Sequence, residues 1–196
     1  MNREARNADP EVGDRAIGDV LGEHLRARGL PADSGVSLRW VRVVFLGVPV
    51  RFPNFDARRA ILVQHDVHHL LTGYDTTWRG EAEIGAFEIA TGCRHYWAAW
   101  FFNFGGFLFG LFLAPVRTWR AFVRGRRGRN FYGVDSKAVL ARTVDGARRE
   151  LGLDQPVPRG SAADALAFAG WSALVVAAYV VAPVLLLAQI LVLLGS

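Results

Sequence analysis

Cysteine occurs once in this chain of 196 residues, as Cys93. One thiol forms no intrachain disulfide, so stability has to come from packing, and a reducing, cytoplasm-facing location is expected. The opening stretch, MNREARNADPEVGDR, has no apolar run and mixes arginine with acids; it does not read as a secretion signal, and a mobile tail over residues 1–13 is expected. The length suits one ordinary domain with a large core, not two such domains plus membrane segments.

Acids are missing from RTWRAFVRGRRGR, which carries Arg117, Arg120, Arg124, Arg126, Arg127 and Arg129. Taking these six from the formal charge of +5 leaves −1, so the rest of the chain is close to neutral. A basic run attracts nucleic-acid phosphates or anionic lipid head groups. This one directly follows AAWFFNFGGFLFGLFLAPV, an adjacency that points to a membrane surface and against nucleic acid.

Charge is absent altogether from residues 165–194. At about 1.5 Å per residue a helix of this length exceeds the ~20 residues that cross a bilayer, which predicts a transmembrane segment. Pro183 removes one helix hydrogen bond and is expected to kink the segment or split it into a re-entrant hairpin. Residues 98–116 are also uncharged but contain Asn103, Gly105, Gly106 and Gly110. Were both stretches to cross, residues 1–97 and 117–159 would lie on opposite faces of the membrane. A single domain holding both parts requires residues 98–116 to stay in the core, line a lipid cavity or dip into one leaflet. The arginine run marks its side, and with it the main domain, as cytoplasmic.

Periodicity supplies the remaining elements. DRAIGDVLGEHLRARG spaces Ile17, Val20, Leu21 and Leu25 as a short amphipathic helix, with Asp14 as cap and Gly29 as stop. VSLRWVRVVFLGVPVRFPNF reads either as a strand pair or as an extended loop. A helix is expected over residues 56–73, capped by Asp56 and ended by Gly73, and another from Glu81 to near Gly92. VDSKAVLARTVDGARRELG predicts one helix with Asp135 or Ser136 as cap and Gly152 as terminator. The expected fold class is mainly α: a helical metal-binding domain over 14–153, a linker over 154–164, and a C-terminal transmembrane helix over 165–194.

Histidine is scarce too, with five in all, yet three of them fall in HDVHHLLTGYDTTWRGE. On a helix His65 and His69 lie about 40° apart, and Asp66 falls in the same arc. His68 falls about 60° to the other side of His65 and is not counted as a ligand, only as a neighbour of the site. Glu81 follows a glycine-bounded turn, where an antiparallel return brings its carboxylate over the pair. Two imidazoles with one or two carboxylates suit zinc, or iron or manganese, and mixed N/O ligation without thiolates leaves an open position for chemistry. A single histidine on an apolar helix is ordinarily just packed; the adjacent acids and apolar flanks favour a metal, because uncompensated ionisable groups are costly there. Glu83 is expected to face solvent, and Glu88 to stand behind the ligands or cap a polar groove.

His65-Asp66-x-x-His69, then eleven residues, then Glu81, resembles the signature of the coenzyme Q (ubiquinone) biosynthesis family usually called Coq-four; LTGYDT at 71–76 and RRELG at 148–152 share the likeness. The resemblance is specific around residues 54–92 and extends over 14–153. It implies a mainly helical fold, a divalent metal on those four residues, zinc in first place, and a prenylated quinone precursor held beside it. It also implies membrane association, help in assembling other quinone-biosynthesis enzymes, and replacement of the ring C1 carboxylate by hydroxyl, which would make the protein a lyase or oxidative decarboxylase acting on a polyprenyl benzoate. The C-terminal membrane segment, the extra His68 and the long apolar GGFLFG stretch depart from that pattern, so another isoprenoid lipid remains open as substrate. A non-catalytic lipid-binding scaffold is the alternative. The HxxHH string also echoes membrane di-iron hydroxylases, but those need about eight histidines.

Overall fold

The computed structural model describes residues 10–45, 48–157 and 159–195. Most of the tail expected over 1–13 lies outside them. The elements in chain order are α1 (Pro10–Gly13), α2 (Ile17–Arg26), β1 (Trp40–Phe45), β2 (Val48–Pro53), α3 (Asp56–Thr72), α4 (Trp78–Thr91), α5 (Trp97–Leu113), α6 (Pro115–Gly125), α7 (Ser136–Leu140), α8 (Val144–Glu150) and α9 (Ala162–Val176). A π-turn (Ala177–Val181) then leads into α10 (Ala182–Gly195). The protein is mainly helical and divides into two units.

The first unit takes in residues 1–73, 93–99 and 129–155. Its centre is α3, packed against α2, α7 and α8. Ile17, Leu21 and Leu25 of α2 are buried, as the amphipathic spacing requires, but the cap differs from expectation: the helix starts at Ile17, two residues after Arg15, with no side-chain cap. Backbone bonds tie its start to the loop before α8, Ile17 N–H to Arg142 O at 2.8 Å and Val144 N–H to Arg15 O at 3.1 Å. Phe55, not Asp56, holds the N-cap position of α3; Asp56 is the first helical residue and pairs with Arg59 at 2.9 Å. Gly73 ends α3 at φ 76°, where a side chain would be strained, as expected of it.

The segment left open as strands or loop is a hairpin, antiparallel with Val43 opposite Val50. In a two-stranded sheet both strands are edges, so Pro49 and Pro53 cost no ladder bond to a further neighbour. Asn54, buried just after β2, donates to the carbonyls of Gly35 (3.0 Å) and Leu38 (2.9 Å) and anchors the preceding loop. The single helix expected over 134–152 is two short ones. Asp135 caps α7 through the Ala138 N–H, and Thr143 starts α8 by accepting from Gly146 N–H while its backbone bridges Ala16.

The second unit takes in residues 74–92, 100–128 and 156–196. Its core gathers Ala86, Ile89, Phe107, Ala121, Phe122 and Val175, with Phe168 and Trp171 against it. Three glycines permit close helix contact. A Cβ on Gly85 would stand 2.9 Å from the Asn103 carbonyl, one on Gly106 2.8 Å from the Glu81 carbonyl, and one on Gly110 2.8 Å from the Ala82 Cβ. Gly106 and Gly110 of the apolar 98–116 stretch thus serve packing on α4, whereas a Cβ on Gly105 would meet only the Tyr179 ring, and α5, at 17 residues, is shorter than the candidate span at the C-terminus. The first helix of this unit starts earlier than expected, at Trp78, because Thr77 caps it through the Gly80 N–H and Asp75 in turn accepts from the Thr77 N–H at 2.9 Å.

Among the described residues one helix, Ala162–Leu191, is long and apolar enough to cross a membrane. Ser161 and Asp164 close a capping box at its start. Pro183 does not split it: the helix runs on, and the π-turn just before the proline absorbs the lost hydrogen bond and ring clash.

Candidate metal centre

His65 and His69 lie one turn apart on α3. Their Nε2 atoms are 3.2 Å apart, and the rings meet edge to face at 85°. Glu81, in the first turn of α4, supplies the third group: one ligand atom from each of the three residues lies within 4.8 Å of the others. His69 is buried, while His65 and Glu81 are half-buried. One imidazole donating to the other would satisfy the nitrogen contact by itself, so the donor set has to be tested against an ion. Two nitrogens each about 2.0–2.1 Å from one zinc and 3.2 Å apart subtend roughly 100–105° at it, near tetrahedral. The spacing of the two imidazoles thus suits one divalent metal, and with Glu81 they form a group that could hold such an ion.

The other expected residues stand elsewhere. Asp66 is not in the group of three; it is half-buried near Arg58, whose guanidinium is pulled below its ordinary pKa by burial while the Asp66 charge opposes this. His68 is fully buried. Its Nε2 accepts the Phe131 N–H at 2.9 Å and its ring packs on Phe131 and Tyr132. Accepting there requires a lone pair on Nε2, so the neutral ring carries its proton on Nδ1. Glu88 is also fully buried and accepts from Asn103 Nδ2 at 2.6 Å, which explains the one polar residue in the middle of α5. Glu83 does not face solvent: α6 covers that side of α4, and Arg117 donates to the carboxylate at 2.5 Å, a bond that raises the arginine's pKa.

The arginine run is divided by its contacts. Arg124, expected at a lipid surface, is buried with its guanidinium over the Tyr74 ring at 6.0 Å, because the amphipathic α6 turns that position inward. Arg126 and Arg127 both bind Asp164, at 3.3 and 2.6 Å. Apart from Arg124 the arginines of the run are all exposed, Arg117, Arg126 and Arg127 despite their carboxylate partners and Arg120 and Arg129 with them. No periodicity in the sequence announces the Glu83–Arg117 or His68–Phe131 contacts, which join positions 34 and 63 residues apart. The only sequence signal for His68 was its angular offset from the His65/His69 pair.

Compared with protein-family models, with curated proteins and with solved structures, the chain finds no match in any of the three.

Proposed function

We propose that His65, His69 and Glu81 hold a divalent cation, zinc before iron or manganese, in a membrane-anchored protein that acts on a prenylated aromatic acid in quinone biosynthesis. The grouping of these three ligand atoms within 4.8 Å carries the reading. The HDxxH-x11-E spacing and the resemblance it supports supply the substrate class. When bound, such an ion contributes Lewis acidity that can stabilise a carboxylate or phenolate as CO₂ leaves. Replacing carboxylate by hydroxyl removes two electrons and adds one oxygen, so an external oxidant such as dioxygen is part of the reaction.

Elemental analysis of the purified full-length chain tests the site, with lipid extraction and mass spectrometry to identify a bound isoprenoid. About one metal ion per chain is expected, falling by roughly tenfold or more in affinity in His65→Ala, His69→Ala and Glu81→Ala. Metal content unchanged in all three would rule the site out. Folded but metal-free variants that still restore quinone synthesis would assign the protein a scaffold role.

A further inference from the structure

The C-terminal helix is too long for the bilayer it is suited to. Its apolar span, Ala162–Leu191, has 30 residues, about 45 Å at 1.5 Å each, against about 30 Å of hydrocarbon. To fit entirely it would tilt by about 48°, beyond the 0–40° range of spanning helices. Part of it therefore stands outside the hydrocarbon, and the packing within the second unit indicates which part.

The N-terminal half is built into that unit. Arg126 and Arg127 hold Asp164. Phe168 packs on Phe107, Trp119 and Phe122, each with ring centroids 5.3 Å apart. Trp171 stacks on Trp100 at 5.4 Å, Val175 is fully buried, and Tyr179 in the π-turn donates to the Phe101 carbonyl at 2.5 Å. The described residues beyond Val181 have no such partners.

Composition of the outward face changes at the same place. Before the turn the exposed positions are mostly small, among them Ala165, Ala169, Gly170 and Ala173, with Leu166 and Leu174 the large exceptions. After it they are mostly bulky, Val184, Leu185, Leu186, Leu187, Ile190 and Leu191, with Ala182, Pro183, Ala188 and Gln189 between them. Large aliphatic side chains gain most from hydrocarbon, whereas alanine and glycine are nearly indifferent to it.

We propose that the hydrocarbon boundary falls at the π-turn near Tyr179, that Ala162–Val176 is a strut of the second unit outside the bilayer core, and that the Phe101–Tyr179 end of that unit rests on the lipid surface. This rests on reading the C-terminal helix as a membrane span. The five-residue turn and the 14 residues of α10 come to about 28 Å, close to the core thickness. Tyr179 then occupies the interfacial level that tyrosine favours. Asp164 stands about 22 Å further out, more than twice the roughly 10 Å screening length, so Arg126 and Arg127 serve the helix cap and not lipid head groups.

Cysteine scanning of the full-length chain in vesicles of phosphatidylcholine with a minor share of phosphatidylglycerol tests this, with a hydrophilic maleimide on both sides of the membrane. The parent chain, whose one cysteine is buried, gives the background. All the substituted positions are exposed, and a Cβ at Gly170 meets nothing within 4 Å, so the variants should fold. Leu166→Cys and Gly170→Cys are expected to label as exposed thiols do, and Val184→Cys and Leu187→Cys roughly tenfold or more slowly, because hydrocarbon suppresses the thiolate. Suppression at all four positions would overturn the boundary while leaving the span intact. Labelling at all four would overturn the span itself.

Discussion

At the scale of single residues, adjacent histidines have separate duties. His65 and His69 converge with Glu81, while His68 spends its Nε2 lone pair on the Phe131 amide in the core. His68→Ala leaves that buried N–H without its acceptor and opens a cavity, so it should cost about 2–4 kcal/mol in denaturant unfolding with metal stoichiometry unchanged. His65→Ala should do the reverse, removing metal at little cost to the metal-free fold. Tyr74 offers a pH readout. Burial raises its phenol above the ordinary value of 10.0, with the Arg124 charge pulling the other way. A raised pKa means that the folded chain keeps a proton which the unfolded chain has released, so this contribution is complete below about pH 10 and is lost as pH rises from there toward the folded value. Unfolding midpoints measured across that range should fall more steeply in the parent than in Tyr74→Phe.

At the scale of elements, the approach of α5 to α4 decides how well Glu81 is held. Gly106→Ala puts a methyl group against the Glu81 carbonyl and should destabilise by about 1–3 kcal/mol while weakening metal binding. Gly105→Ala is the contrast: its Cβ meets only the Tyr179 ring at 3.9 Å, and alanine is the better helix former, so stability should hold or rise. Titration with zinc separates the two. These glycines were visible in the sequence as an oddity in an apolar run, but which helix they admit was not, because close approach depends on what lies opposite. The break between α7 and α8 has a similar cause. Helical periodicity continues through residues 141–143, yet the bridge from Thr143 to Ala16 draws the backbone out of the helix, and that partner is 127 positions away.

At the scale of the molecule, the C-terminal helix is both a candidate membrane span and a structural member of the second unit. Truncation after Gln155 would remove Phe168, Trp171 and Val175 from the core and leave Phe107 and Phe122 uncovered. The expected outcome is aggregation on size-exclusion chromatography and loss of a cooperative thermal transition. A removable anchor on a flexible linker would instead leave a soluble chain with an unchanged melting temperature. Local chemistry alone marked the helix over 56–73, its glycine stop, the pairing of His65 with His69 and the uncharged C-terminal run, because helix period, left-handed backbone and apolar length act over a few neighbouring residues. Tertiary structure decided the rest: that Glu83 and Arg124 turn inward, that His68 serves the core, and that half of the long apolar helix packs on its own protein. Burial and pairing depend on surfaces brought together from distant parts of the chain, and no window of sequence contains both partners.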